Sequence, residues 1–153
     1  MPYLLLKSEP DVFGIDNLRR KKTELWDGVR NFQARNAMLA SNVGDLAFFY
    51  HSNAKPPGIA GLCRVVEVGV VDPTQFNKKS HYFDPTSKKD DPRWRTIIVE
   101  FVEKFPHYIS LDELRAAFSG DDLIILRRGS RLSVTPVDDA VAERILDIAH
   151  AKR

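Results

Sequence analysis

The sequence predicts an α+β domain: a small, mostly antiparallel, barrel-like sheet flanked by helices. Three observations point there. Apolar and β-branched runs that read as strands dominate the middle of the chain. Helical patterns lie at both ends and between the strands. The connections are too irregular for regular βαβ winding. The 153 residues suit one domain with one core, and neither a repeat nor a linker divides them.

Tyr3-Leu4-Leu5-Leu6-Lys7 reads as a buried strand, ended by Ser8-Glu9-Pro10-Asp11. A short helix is expected over Ile15 to Lys21, with Ile15 and Leu18 inward. The basic run Arg19-Arg20-Lys21-Lys22 suits its C-terminal end. A turn at Trp26 leads into a helix whose apolar residues are Phe32, Met38 and Leu39. Leu46 to His51 is a strand with both faces mostly buried, because Leu46, Phe48 and Tyr50 alternate with Ala47, Phe49 and His51. Ile59 to Val71 is one long strand or two shorter ones.

Asp72 to Trp94 has no apolar periodicity and three Asp-Pro steps. Its aromatics Phe76, Tyr82 and Phe83 predict an ordered excursion rather than a disordered linker. Thr96 to Phe105 is a strand. Ser110-Leu111-Asp112-Glu113 is a capping box opening a helix to about Phe118. Leu123 to Leu126 reads as strand or helical turn. Leu132-Ser133-Val134 is a short strand, and Asp138 opens a C-terminal helix with Val141, Ile145 and Ile148 on one face.

Composition narrows the function. The net charge is +2, so any anion-binding surface must come from local clustering. The single cysteine, Cys63, permits no intrachain disulfide and fits a reducing compartment. No signal peptide or membrane span fits the N-terminus. The expected location is cytoplasmic, in a bacterium, or nuclear in a eukaryote.

Enzyme signatures are sparse. The sequence contains no G-x-S-x-G elbow, glycine-rich phosphate loop or paired zinc-ligand spacing. Cys63 sits among apolar residues and reads as a buried thiol. No cofactor and no metal site are expected. Glu9 and Asp27 could converge as an acid-base pair, or Glu9 could anchor a turn or hydrogen-bond a ligand.

Binding signatures are denser. Trp26-Asp27-Gly28-Val29-Arg30-Asn31-Phe32-Gln33-Ala34-Arg35-Asn36 sets a flat aromatic beside planar amide and guanidinium groups. That inventory suits a nucleobase, which stacks on aromatic faces and is read at its edges. It also suits a core tryptophan beside a solvated helix face. Lys7-Ser8-Glu9 and Tyr50-His51-Ser52 end two strands and could complete a pocket around Trp26. The basic turn Arg127-Arg128-Gly129-Ser130-Arg131 could hold phosphates at its mouth or be a solvated turn.

These motifs carry a resemblance. Lys7-Ser8-Glu9-Pro10, the Trp26 to Asn36 stretch, Phe49-Tyr50-His51-Ser52, Pro57-Gly58-Ile59, Asp72-Pro73-Thr74-Gln75-Phe76, Pro92-Arg93-Trp94 and Arg127 to Val134 together resemble the EVE domain family. The resemblance implies a PUA-like fold, a mixed, mostly antiparallel pseudo-barrel flanked by helices. It implies nucleic-acid binding, the reading of modified bases, especially modified cytosine in DNA, and no known catalysis.

The expected partner is therefore DNA or RNA carrying a modified base. The expected base-binding residues are Ser8, Glu9, Trp26, Asp27, Val29, Asn31, Tyr50, His51 and Ser52. The expected phosphate-binding residues are Lys7, Arg30, Arg127, Arg128 and Arg131. Two alternatives stand beside this reading. One is an enzyme acting on a nucleotide or small anionic metabolite, with Glu9 or Asp27 as base. The other is a protein-interaction module built on the Asp72 to Trp94 excursion.

Overall fold

The computed structural model describes residues 3–151. Its elements are β1 (Tyr3–Ser8), α1 (Pro10–Phe13), α2 (Ile15–Lys21), β2 (Thr23–Leu25), α3 (Phe32–Leu39), β3 (Leu46–His51), β4 (Gly58–Val71), β5 (Arg95–Ser110), α4 (Leu111–Ala117), β6 (Val134–Val137) and α5 (Asp139–His150). The six strands form one sheet in the order β2-β5-β4-β3-β1-β6. Among the described residues only β1 and β3 pair in parallel; the other ladders are antiparallel.

Strand alternation divides the apolar residues between two cores. Leu4 and Leu6 of β1 and Ala47 and Phe49 of β3 face one core, with Trp26, Val29, Ala34 and Met38. Leu5, Phe48 and Tyr50 face the other, under α4 and α5 through Leu114, Val141 and Ile145. The ladder between β4 and β5 shifts register four times. Such irregularities bend and twist long strands. The resulting curl lets α3 pack against both β5 and β6, which stand far apart in the sheet order.

Several local expectations hold and others change. The expected single core is two clusters. β5 runs on through Pro106 to Ser110 instead of ending at Phe105, and Pro10–Phe13 is the short helix α1 rather than a turn. α2 spans Ile15–Lys21 as expected, with Ile15 and Leu18 buried. Ile59 to Val71 belongs to one strand. Leu123 to Leu126 resolves as a 3-10 turn at Ile124–Leu126. The buried side of α3 is Ala34 and Met38 rather than Phe32 or Leu39, because Phe32 instead stacks on Trp94 at 5.0 Å and 16°. The last strand lies at Val134–Val137, later than Leu132 to Val134. The short β2, absent from the sequence reading, pairs with β5 and delivers the chain to Trp26.

The Asp72 to Trp94 excursion is ordered and closed at its base. The Asp72 N–H donates to the Trp94 carbonyl at 3.1 Å. The buried Gln75 amide donates to the carbonyls of Asp72 and Trp94, both at 2.7 Å, and its oxygen accepts the Trp94 N–H at 3.1 Å. Among the described residues no helix is long and apolar enough to cross a membrane. No His, Cys, Asp and Glu group there could hold a metal ion. Cys63 is fully buried, and burial pushes its thiol up to about 12.

Candidate functional site

The parallel pairing of β1 with β3 sets Ser8 opposite His51. The ladder continues one step beyond the strands, where the Ser52 N–H donates to the Ser8 carbonyl at 2.9 Å. Both strand ends thus open on the same side of the sheet. Trp26 reaches that side from β2. Its N–H donates to the Ile97 carbonyl at 2.9 Å, and its carbonyl accepts the Thr96 hydroxyl at 2.5 Å. Its ring packs edge-on against Phe49, with centroids 5.6 Å apart and planes at 87°. Trp26 is therefore largely a core residue, 7% exposed, yet it also lines a cavity.

That cavity has a volume of about 460 Å³, within the range of about 300–1,000 Å³ usual for small-ligand sites. Lys7, Ser8 and Glu9 line it from the end of β1, Val12 and Phe13 from α1, and Ser52 from the end of β3. Leu25, Trp26, Asp27, Gly28 and Val29 form the opposite side, with Tyr82 from the excursion and Arg131 and Ser133 from the segment before β6. One space thus gathers aromatic and apolar side chains, the hydroxyls of Ser8, Ser52, Ser133 and Tyr82, the cations of Lys7 and Arg131, and the carboxylates of Glu9, Glu24 and Asp27.

Local chemistry sets what each group can offer. The Ser8 hydroxyl donates to the Phe13 carbonyl at 2.5 Å, so its oxygen faces a ligand as an acceptor. Partial desolvation, then the neighbouring Asp72 and Glu24 charges, raise the pKa of the Asp27 carboxyl, although the residue as a whole is exposed. Burial lowers the Lys7 ammonium. Gly28 has φ +81°, and a Cβ there would lie 2.6 Å from the Tyr82 ring. Glycine is thus required both by the backbone and by the excursion lying against it.

Six of the expected base-binding residues line the cavity: Ser8, Glu9, Trp26, Asp27, Val29 and Ser52. The structure gives the other three different work. Asn31 is the N-cap of α3, and its side-chain oxygen accepts the Ala34 N–H at 3.0 Å. The Tyr50 side chain points to the opposite core, as strand alternation requires. The His51 Nε2 accepts the Ile15 N–H at 3.1 Å, and burial lowers its pKa, which keeps the ring neutral.

Of the expected phosphate ligands, Lys7 and Arg131 line the cavity, whereas Arg30, Arg127 and Arg128 do not. Arg127 donates through Nε to the Gly120 carbonyl at 2.9 Å. Arg128 is exposed on the same turn. Arg30 is a structural clamp. It donates to Asp72 at 3.0 Å, to the Thr74 hydroxyl at 2.9 Å, and to the Tyr82 carbonyl at 3.0 and 2.8 Å. Its guanidinium also lies 5.6 Å from the Tyr82 ring centroid and 5.2 Å from that of Trp94. The cavity lining consequently carries more carboxylates than cations. Any excess of positive charge must lie around it.

Sequence reasoning missed Tyr82, Phe13 and Ser133. The Asp72-Pro73-Thr74 step held the signal for Tyr82. It is an Asp-capped turn whose carboxylate, through Gly28 and Arg30, ties the excursion to the Trp26 loop.

Comparisons with known proteins agree with this architecture. The EVE domain family profile matches residues 2–148. Mouse thymocyte nuclear protein 1 is 41% identical over 164 residues, covering 95% of this chain and 73% of the mouse protein. A crystal structure from Pseudomonas putida superposes with a TM-score of 0.91 at 41% identity, covering 96% of this chain and 99% of that one. The human THYN1 protein in complex with 5-methylcytosine containing DNA superposes with a TM-score of 0.90 at 36% identity, covering 100% of each chain.

Proposed function

The chain belongs to the EVE domain family, and from that premise we propose that it binds nucleic acid and reads a modified base, turned out of its strand, in the cavity against Trp26. The observation that carries this reading is the convergence of Trp26, Ser8, Ser52 and Asp27 on one cavity. The human relative bound to 5-methylcytosine containing DNA supports the ligand class.

Turning a base out costs a few kcal/mol of stacking and pairing. Stacking on an aromatic returns about 1–3 kcal/mol. Edge hydrogen bonds and contacts to the backbone supply the remainder. The Ser8 oxygen and the Asp27 carboxylate are acceptors, so they favour a base that presents an exocyclic amine, as cytosine does. Uracil and thymine present a carbonyl at that position, which two acceptors repel. Lys7 and Arg131 supply cations for carbonyl or phosphate oxygens. Val29 and Phe13 give apolar contact for a substituent such as a methyl, worth about 0.8 kcal/mol when buried.

The same lining supports a second reading. Glu9 and Asp27 share the cavity, and Asp27 has the raised pKa of a candidate proton-transfer group. An enzyme acting on a nucleotide would use them. Glu9→Gln separates the two readings: a reader keeps most of its binding, and an enzyme loses turnover.

The direct test is a binding panel of single- and double-stranded DNA and RNA with cytosine, 5-methylcytosine, 5-hydroxymethylcytosine, uracil and modified adenine at one position, at two salt concentrations. A preference for a modified cytosine that survives at the higher salt supports the reading. Equal affinity for every base at each salt concentration overturns it. A reducing cytoplasmic or nuclear compartment, where such nucleic acids occur, fits this function and the buried free thiol.

A further inference from the structure

We propose that a second groove, between α3 and the Thr86 to Arg93 turn of the excursion, carries the phosphodiester backbone of the strand flanking the base, an inference that rests on the reading above for its register but not for its chemistry. The groove has a volume of about 550 Å³. Arg35, Lys88 and Arg93 line it, and Asp91 is the single carboxylate among its lining residues. Its floor includes Phe32, half exposed although it opens a helix and could have been buried.

This charge and this aromatic are held in place. Phe32 stacks on Trp94, whose indole N–H donates to Asp84 at 2.7 Å. The Arg35 guanidinium lies 4.8 Å from the Phe32 ring centroid. It donates to the Arg93 carbonyl at 2.9 Å and twice to the Asn36 side-chain oxygen. Three of its five N–H donors are thus used, which leaves two for a ligand. A cationic groove floored by an aromatic is the arrangement that tracks a nucleic-acid strand without reading its sequence.

Arg30 links this groove to the cavity. It lies between the rings of Tyr82, which lines the cavity, and Trp94, which underlies Phe32. Three contacts of 5–6 Å therefore connect the cavity wall to the groove floor. That separation corresponds to at most about five nucleotides at about 3.4 Å each along a stacked strand. A strand with its base in the cavity therefore reaches the groove within about five nucleotides, so binding gains the groove's contacts as the strand lengthens.

Length dependence tests this. The double variant Lys88→Gln with Arg93→Gln removes two charges and leaves the Arg93 carbonyl in place. Arg93 lies 4.0 Å from Asp84 and its side chain is 43% exposed, so this long contact contributes little to folding. An unchanged thermal midpoint confirms that the variant is folded. Parent and variant are titrated with a trinucleotide and a dodecanucleotide, each with a central cytosine or 5-methylcytosine, across a range of salt.

The expected result is a smaller loss of affinity for the trinucleotide than for the dodecanucleotide. The variant should lose about tenfold in dodecanucleotide affinity and about 1.4 in the salt slope, since each single-strand phosphate contact accounts for about 0.7. If the variant keeps the parent's dodecanucleotide affinity and slope, the groove is not a backbone site, even where the preference for 5-methylcytosine persists. If that preference is missing while the length-dependent loss is seen, the base reading fails and the groove stands. A parent that binds neither oligonucleotide overturns both.

Discussion

Arg30 was expected at a phosphate, and the structure makes it the clamp of the site, so its replacement separates the two roles. The Asp72 side chain it faces is 2% exposed, while Arg30 itself is 21% exposed. Truncating one partner of a buried ion pair costs about 3–5 kcal/mol, chiefly because the remaining charge is left without its partner. The partial exposure of Arg30 places Arg30→Ala near the lower end, at about 3 kcal/mol. For a chain of this size that corresponds to a fall of about 6–12 °C in Tm.

Acid sensitivity should change as well. Burial pushes the Asp72 carboxyl up, but the Thr74 hydroxyl, the Gly28 N–H and Arg30 outweigh it and leave the pKa below its ordinary value. A lowered native pKa stabilises the fold fully above the unfolded value of about 3.9, and that stabilisation is lost as pH falls through the lower native value. Arg30→Ala removes one of these causes, so its acid unfolding should begin at higher pH. Thermal melts at neutral pH, acid titrations followed by circular dichroism, and a cycle with Asp72→Asn provide the readouts. A variant that melts within about 1 kcal/mol of the parent but loses salt-dependent nucleic-acid binding would refute the clamp and restore the phosphate role.

The other predictions follow from the same cavity. Trp26→Phe should weaken binding to the preferred oligonucleotide by less than Trp26→Ala, whose loss of stacking is worth about 1–3 kcal/mol, or about five- to hundredfold in affinity; fluorescence titration of both, with melts as a control for the core position of Trp26, gives the order. Asp27→Asn should lower the preference for cytosine over uracil measured in competition. It should also raise thermal stability at neutral pH, because a carboxyl with a raised native pKa destabilises the fold once it is ionised. Arg131→Ala should lower the salt slope by about 0.7–0.9, one phosphate contact. Arg127→Ala should instead leave the slope unchanged and loosen the turn it ties to Gly120.

The legible part of the site was the part carried by strands. Alternation along Leu46 to His51 identified a strand buried on both faces, and the polar residues just past two such strands were natural candidates to meet. Ser8, Ser52 and Trp26 do meet, because register follows from the apolar pattern. Illegible were roles set by partners far along the chain. Arg30 finds Asp72 and Tyr82, and residue type alone did not distinguish that clamp from a phosphate contact. Asn31 could serve as a cap or as an edge contact, and only the start of α3 at Phe32 decides for the cap. Tyr50 and Phe49 are neighbours of similar character, and the parity of the pleat sends them to different cores. The short β2 left too few residues for a period to show.

The parallel pairing of β1 with β3 has a consequence for how the cavity breathes. The Ser52 amide extends the ladder between two inner strands of the sheet, so its hydrogen should exchange more slowly than those of the excursion. The opposite wall differs. Tyr82 is joined to the Trp26 loop by contacts of the Arg30 side chain, and those can break without disturbing any strand. Exchange measured along the chain should therefore show a slow floor and a faster strap on the two sides of one pocket. A ligand would then meet a fixed template for its edge and admit itself by displacing the strap. Ligand that slows exchange from Ser80 to Phe83 while leaving Ser52 unchanged would mark that strap as the moving part.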